Sequence, residues 1–193
     1  MKLALFPLNT VLFPGSILPL QIFEQRYINL VKECMKQQTG FVTVLISEGK
    51  EVGETPQVYR VGCYVEIVDW ESLANGLLGI SIQAKYRVRL SDSSVRDDGL
   101  LFAETTSLES AFDDSLQLPK GFEPLSVTLQ QLLKHPYAQH YEDEIDFDKA
   151  SDICFRLSDL LPISNKHKQL LLESDNLVQM LDQLAIHINA LQR

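Results

Sequence analysis

The sequence predicts an α+β fold, with a β-rich lobe over residues 1–117 followed by a helical lobe over residues 118–193. The main observation is a change in hydrophobic period, from two residues in the first part of the chain to about 3.6 in the last third. A second observation is the run 111–121, where the alternation fades into Asp, Ser, Pro and Gly, a composition typical of a connection between lobes. With 193 residues, 45% of them hydrophobic, the chain can bury either one large core or two small ones.

The β-rich lobe opens with an extended stretch that Pro7, Pro14 and Gly15 force to turn and stop. A helix is predicted between residues 22 and 40, because apolar residues recur there at helical spacing, and Gly40 suits its C-terminal cap. Strands are predicted over 41–46, 61–68, 77–90 and 100–108, separated by clusters of Gly, Asn, Asp and Ser.

The strand over 77–90 has the clearest pattern, with apolar residues at even positions and polar residues at most odd ones. This alternation predicts one buried face and one face in water, and it places Lys85, Arg87 and Arg89 on the wet face. Basic residues at alternate positions can follow a phosphate backbone, so an RNA-binding face is one hypothesis. The other is a charged edge strand that resists aggregation. We favour the edge strand, because the net charge is −9 and no aromatic residue shares that face.

The helical lobe is predicted to contain helices over 124–134, 148–161, 165–172 and 176–191. Ser164 and Asp175 stand where N-caps belong, and Pro162 ends the second helix. The acidic run 142–148 lacks the glycine and the terminal glutamate of a calcium-binding loop, so we interpret it as a solvated linker.

Composition excludes several classes of protein. The three cysteines, Cys34, Cys63 and Cys154, lie among apolar residues, which predicts reduced buried thiols and a cytoplasmic location. The opening run is broken by prolines and an asparagine, so we assign it to the mature fold rather than to a signal peptide. No apolar run approaches the roughly 20 residues that span a bilayer, so no membrane role is expected. The negative charge argues against nonspecific nucleic-acid binding.

No motif for catalysis or metal binding is present in the sequence. There is no G-x-S-x-G element, and no cysteine lies beside a histidine. His135, His140, His167 and His187 have no metal-ligand spacing. We therefore predict no catalytic residue, no metal and no cofactor. An uncharacterised hydrolase would need a cleft holding a Cys, His or carboxylate of perturbed pKa.

The run LALFPLNTVLFPGSILPLQIFEQRYINLVKECM, residues 3–35, closely resembles the opening of the Lon protease N-terminal domain family. We call it the signature segment. A second run, residues 150–184, is similar to the helical end of that domain, and the likeness is weakest over 69–146. Within this weak middle, Asn75-Gly76-Leu77 departs from the Asp-Gly-Arg that the family often carries. The resemblance implies a PUA-like open β-barrel followed by a C-terminal helical bundle.

The same resemblance implies a substrate-recognising domain that helps to select unfolded or tagged clients. A Lon protease continues into an ATPase with a phosphate-binding G-x-x-x-x-G-K-[ST] loop and then a Ser-Lys protease domain. Here the only Gly-Lys pair, Gly49-Lys50, is followed by Glu51. We therefore expect a stand-alone, noncatalytic recognition module. Its expected partners are unfolded or hydrophobic polypeptide segments, or a dedicated protein partner.

Apolar residues among the prolines supply the candidate contacts. We expect a groove at the barrel mouth or between the lobes that captures an exposed hydrophobic peptide. The candidate residues are Phe13, Pro14, Phe23, Tyr27 and Trp70. Glu24 and Arg26 are expected to tie the helix to the barrel.

Overall fold

The computed structural model describes residues 1–53, 55–109, 113, 115–139, 141 and 145–191. The chain divides into two compact units, Met1–Glu109 and Ser110–Arg193. The named strands all lie in the first unit, which makes the fold a mixed α and β one with a mainly antiparallel sheet. The lobe boundary after residue 117 stays a prediction.

The predicted helices and strands are all present, with ends shifted by a few residues. The strands over 17–22 and 57–58 were not predicted, and the first strand continues through Pro7 to Leu8. The first unit contains β1 (Lys2–Leu8), β2 (Ile17–Ile22), α1 (Gln25–Gln37), β3 (Phe41–Glu48), β4 (Gln57–Val58), β5 (Val61–Ser72), β6 (Leu78–Val95) and β7 (Leu101–Ser107). The second contains α2 (Glu123–Leu133), α3 (Ala150–Leu160), α4 (Asn165–Glu173) and α5 (Leu177–Leu191). The main difference is that β5 and β6 form a longer hairpin than the pattern indicates.

Five strands of the first unit form a closed cycle of pairings. Neighbouring strands are antiparallel in the order β1-β7-β6-β5-β3. The cycle closes because β3 also pairs with β1, in the parallel direction. The strands β2 and β4 pair with β6 and β3 respectively, outside this cycle. Buried side chains of β1, β3, β6 and β7 pack together: Leu5, Val42, Val44, Val88, Leu90, Leu101 and Ala103. Because their buried side chains pack closely together, these strands form a rigid scaffold for the loops and turns at their ends.

The Phe-Pro-Gly part of the signature segment forms a tight turn. Ser16 N donates to Phe13 O at 2.9 Å, Pro14 supplies the fixed φ of the second position, and Gly15 has a φ of 83°, as in a type II turn. The turn is hydrogen-bonded to β6, because Gly15 N donates to Ala84 O and Ala84 N donates to Ser16 O. Phe13 itself is fully buried, so it anchors the turn in the core.

Helix α1 ends differently from the prediction. Gln38, with a φ of 53°, takes the left-handed C-terminal position, and its N–H donates to Cys34 O, so the assignment of Gly40 to the cap is wrong. Position 40 requires a glycine for another reason, because its backbone lies against the backbone of Val65. A Cβ there would overlap the Val65 carbonyl oxygen, and Gly40 N donates to Tyr64 Oη at 2.7 Å.

The start of α1 is tied to two loops by a buried arginine. Arg26 Nη2 lies 2.8 Å from Glu24 Oε2, and the guanidinium also donates to the Gly99 and Gly53 carbonyls at 3.1 and 3.3 Å. It lies over the Tyr27 ring, 4.8 Å from the centroid. Glu24 and Arg26 were expected to tie the helix to the barrel, and Arg26 does hold the helix start against the two loops that contain Gly53 and Gly99.

The second unit is built on helices with apolar stripes. Ser164 caps α4, accepting the His167 N–H at 3.3 Å, as predicted. The cap of α5 is not Asp175: Asn176 directly precedes the helix, and its Oδ1 accepts the Gln179 N–H at 3.1 Å.

Some predicted features fall on residues that the structure does not describe. The predicted acidic run falls partly on 142–144, and the predicted connection falls partly on 111, 112 and 114. His140 also lies outside the described residues. No helix in the described part of the chain is long and apolar enough to cross a bilayer.

Candidate functional site

The five predicted contact residues separate into buried and exposed side chains. Phe13 is fully buried, and Tyr27 stacks on Phe6 with ring centroids 4.1 Å apart. Burial raises the pKa of Tyr27 to about 12. These two rings are core residues in this structure, and Pro14 is half-buried in its turn. Phe23 and Trp70 are the two that face solvent.

Trp70 is 59% exposed and lines two clefts at the outer end of the β5–β6 hairpin. The first, which we call the sheet cleft, has a volume of about 270 Å³. Its lining crosses three strands and is formed by 19–21 of β2, 79–81 of β6 and 69–71 of β5, together with Leu73.

A glycine in β6 shapes the floor of the sheet cleft. Gly79 pairs with Gln21 on one side and Glu71 on the other. A Cβ on Gly79 would come within 3.1 Å of Leu73 Cδ2 and of Glu71 Cγ. The glycine therefore lets Leu73 fold over the strand, a close approach of the kind that a glycine inside a strand often marks.

The second cleft, which we call the helix cleft, lies between the end of α1 and β5 and has a volume of about 500 Å³. Three of its apolar side chains, Met35, Val68 and Trp70, are exposed, and Ile67 is half-buried. We call these four residues the Trp70 surface. The sequence identified only Trp70, because Met35 and Ile67 follow the same spacing as their buried neighbours.

Strand register accounts for the open position of the β5 residues of the Trp70 surface. The strand β5 pairs with β3 only over Cys63, Tyr64 and Val65, and beyond Val65 it pairs among the described strands with β6 alone. A register shift between Ile67 and Asp69 leaves Val68 as the extra residue of a bulge. The outer part of β5 is therefore an open edge. One of its donors is satisfied locally, since Trp70 N donates to Asp69 Oδ1 at 2.8 Å.

The basic residues of β6 do not form a common exposed face. Arg87 is only 2% exposed, so its predicted place on the wet face is wrong, whereas Lys85 and Arg89 are exposed. The expectation of an edge strand is also wrong, because β6 pairs with β5 on one side and with β2 and β7 on the other. Lys85 Nζ donates to Gln83 Oε1 at 2.6 Å and lies 3.5 Å from Glu66 Oε2.

The cysteines have the surroundings of structural thiols. Their Sγ atoms lie near backbone carbonyl oxygens, at 3.6 Å from Gly40 for Cys34 and 3.2 Å from Leu12 for Cys63. Burial raises the pKa of Cys34 to about 11 and that of Cys154 to about 12. A thiol that stays protonated at neutral pH is a poor nucleophile. The described residues also contain no cluster of three or more His, Cys, Asp or Glu side chains arranged to hold a metal ion.

A further cleft in the second unit, of about 460 Å³, was not predicted from the sequence. It lies between α4 and α5, and its lining includes His167, His187 and the exposed Leu170. The two imidazole rings have centroids 4.9 Å apart. The pKa of His187 is lowered, mainly by burial and to a smaller extent by the neighbouring His167.

Residues 2–190 match the family described as the ATP-dependent protease La (LON) substrate-binding domain. The chain belongs to this family. The resemblance carried by the signature segment is thereby confirmed.

Relatives and solved structures agree with the Lon assignment. Lon protease 1 of Syntrophobacter fumaroxidans is 25% identical over 187 residues, which is 93% of this chain and 23% of that protein. The Lon protease of Cytophaga hutchinsonii is 30% identical over 107 residues, 55% of this chain and 13% of that protein. The chain thus spans about a quarter or less of these Lon proteases.

Among solved structures, a Lon N-terminal domain protein from Xanthomonas campestris is similar at 31% identity with a TM-score of 0.79, over 96% of this chain and 98% of that one. The N-terminal domain of the Mycobacterium avium complex Lon protease has a TM-score of 0.69 at 13% identity, over 97% of each chain, a likeness of fold.

Proposed function

We propose that this Lon substrate-binding domain binds exposed hydrophobic segments of polypeptides through the Trp70 surface. The observation that carries the proposal is a 59% exposed tryptophan beside exposed Val68 and Met35, in a cleft of a domain whose family is described as substrate-binding. We further propose that the chain acts without catalysis of its own, in the cytoplasm. Its first unit would serve as a PUA-like barrel and its second as a helical bundle.

Burial of Trp70 against a client supplies the driving force. Tryptophan carries a large apolar surface with few rotatable bonds, so covering it gains hydrophobic free energy at a small cost in conformational entropy. Each Å² of apolar surface removed from water contributes about 25 cal/mol. Tryptophan is also one of the residue types enriched among those that dominate interface energetics.

The open edge of β5 supports an extended client. Residues 66–72 pair on one side only among the described strands, and unpaired strand edges accept an added strand through main-chain hydrogen bonds. Main-chain pairing is independent of the client's sequence, whereas contact with Trp70 requires an apolar side chain. Together they would recognise unfolded chains and reject folded ones.

The test is a titration with a permanently unfolded polypeptide that lacks tryptophan. Because the domain contains a single tryptophan, its emission reports on the proposed surface directly. We expect saturable binding with a shift of that emission to shorter wavelength. A folded protein and a single-stranded RNA serve as parallel controls.

Two variants test whether binding depends on Trp70. Trp70→Ala should weaken binding of a fluorescently labelled client at least tenfold, as loss of a central tryptophan typically does. Tyr137→Ala removes a more exposed aromatic side chain from the second unit and should leave binding unchanged. Equal affinity of the wild type and Trp70→Ala would refute the proposal. Binding to RNA alone would favour the basic residues of β6, and binding to none would favour a dedicated protein partner.

A further inference from the structure

The apolar surface around Trp70 is bordered by carboxylates. Asp69 and Glu71 flank Trp70 in the sequence and line the sheet cleft, and Asp69 and Glu66 line the helix cleft. The residues described as lining these two clefts include no lysine, arginine or histidine. The Trp70 surface is therefore apolar and has a negatively charged border.

Two of these carboxylates form no salt bridge with any residue that the structure describes. Glu66 lies 3.5 Å from Lys85 Nζ. Asp69 accepts a backbone N–H, and Glu71 is exposed beside Gly79; neither forms a salt bridge among the described residues. The chain as a whole carries a net charge of −9, so no general excess of positive charge offsets them.

We infer that the Trp70 surface selects polypeptide segments in which an apolar residue is flanked by lysine or arginine. This inference rests on the proposed function, since it names the class of client that the same surface prefers. An apolar client side chain covers Trp70, while cationic neighbours pair with Asp69 and Glu71. An acidic segment would be repelled by the same two groups.

The spacing along the strand suits such a client. Residues 69 and 71 are two apart on β5, so their side chains emerge on the same side, about 7 Å apart along the strand. Lysine and arginine side chains are long enough to reach either carboxylate from positions next to the apolar residue. Their aliphatic stems can also lie along apolar surface while the charged group stays in water.

The experiment compares three tryptophan-free peptides that share one apolar core and differ only in their flanks, which are Lys, Ser or Glu. Each is titrated into the full chain at low and at physiological salt, with Trp70 emission as the readout. For the wild type we expect the Lys peptide to bind about three- to tenfold more tightly than the Ser peptide, the gain typical of one or two exposed ion pairs. The Glu peptide should bind most weakly, and added salt should narrow the differences.

The variant Asp69→Asn/Glu71→Gln isolates the local charges, and Asn retains an oxygen that can accept the Trp70 N–H. Asp97→Asn/Asp182→Asn removes the same number of charges from exposed positions outside both clefts. We expect the first pair to abolish the preference for Lys and the second to preserve it.

The outcomes separate the two proposals. If the Ser and Lys peptides bind equally to the wild type, the inference about charge is wrong and the proposed function stands. If both double variants lose the preference equally, net charge rather than this site is responsible and the inference fails. If no peptide binds, the proposed function itself fails.

Discussion

The signature segment and the outer part of the β5–β6 hairpin belong to the same unit, but they place most of their apolar side chains in different surroundings. The exposed exceptions in the signature segment are Phe23 and Met35. In the signature segment Phe13 and Tyr27 are buried. In the hairpin Val68 and Trp70 face solvent. The most recognisable sequence in the chain therefore mainly builds the scaffold. Three of the four residues of the Trp70 surface lie at the point where the resemblance to the family begins to weaken, and the fourth, Met35, ends the signature segment. A family signature can identify a fold without marking the residues that contact a ligand.

The largest expected contrast is between an aromatic residue from each region. Phe13→Ala should lower the free energy of unfolding by about 4 kcal/mol, because it leaves a cavity in a packed core. Trp70→Ala should change it by less than about 0.5 kcal/mol, as surface substitutions usually do. Urea denaturation followed by circular dichroism measures both. A cost for Trp70→Ala as large as that for Phe13→Ala would mean that the tryptophan is structural.

Two glycines give the next contrast. A Cβ on Gly40, just after the signature segment, would overlap a backbone oxygen that cannot move freely, so Gly40→Ala should cost about 3 kcal/mol or more. A Cβ on Gly79 meets the flexible ends of Leu73 and Glu71 at 3.1 Å, which can give way. Gly79→Ala should therefore cost less than about 1 kcal/mol. Thermal unfolding would show a large decrease in Tm for the first variant and a small one for the second; similar decreases would contradict the contrast.

Arg26 tests whether the polar residues of the signature segment are also structural. Arg26→Ala should destabilise the chain by about 2 kcal/mol or more, because it leaves Glu24 without its partner and the Gly53 and Gly99 carbonyls without a donor. Arg26→Lys should recover part of this loss, since one ammonium cannot reach all three acceptors. Client affinity, measured on the folded fraction, should be unchanged in both variants. A selective loss of binding by a stable Arg26→Ala protein would assign the residue to the site.

The smallest effect is expected at Arg96, which is less buried than Arg26. Arg96 Nη2 lies 2.7 Å from Asp98 Oδ2, and its hydrogen bonds hold the pKa of Asp98 below its ordinary value. The native state therefore favours the ionised carboxylate, so this stabilisation is present at neutral pH and is lost as the pH falls from about 4 through the lowered native pKa. Because both side chains are partly exposed to solvent, Asp98→Asn should cost less than about 1 kcal/mol at pH 7 and less still at pH 3. Urea titrations at both pH values, with Asp97→Asn as the neighbouring control, measure this; a cost that grows towards pH 3 would contradict it.

Periodicity predicted the secondary structure well because most residues lie on elements with one buried side. The alternation along β6 and the stripes of α3 and α5 reflect such burial directly. It failed at Arg87, which is buried although Lys85 and Arg89 are exposed. A register shift between Tyr64 and Val65 leaves Lys85 as the extra residue of a bulge, and an alternating pattern does not reveal such a shift. It also failed at Gly40, because the close approach to Val65 is a contact between distant residues.

The candidate site was predicted only in part for the same reason. Trp70 could be identified as an aromatic residue near a turn. The exposure of Val68 depends on a bulge, and that of Met35 on where the end of α1 lies relative to β5. Neither is encoded in local spacing. The glycine at 79, inside the alternating pattern of β6, was a local signal of an unusual approach in this region.

The position of β1 in the sheet has a consequence for biosynthesis. This first strand lies between β3 and β7, and Lys2 pairs with Glu104 near the end of the first unit. The cycle of strands therefore cannot close until β7 has emerged from the ribosome, and pairing of such distant residues is slow. Until then β1 can pair only with β3, and its other edge is exposed. A domain proposed to recognise unfolded chains thus passes, during its own synthesis, through a state that resembles its clients.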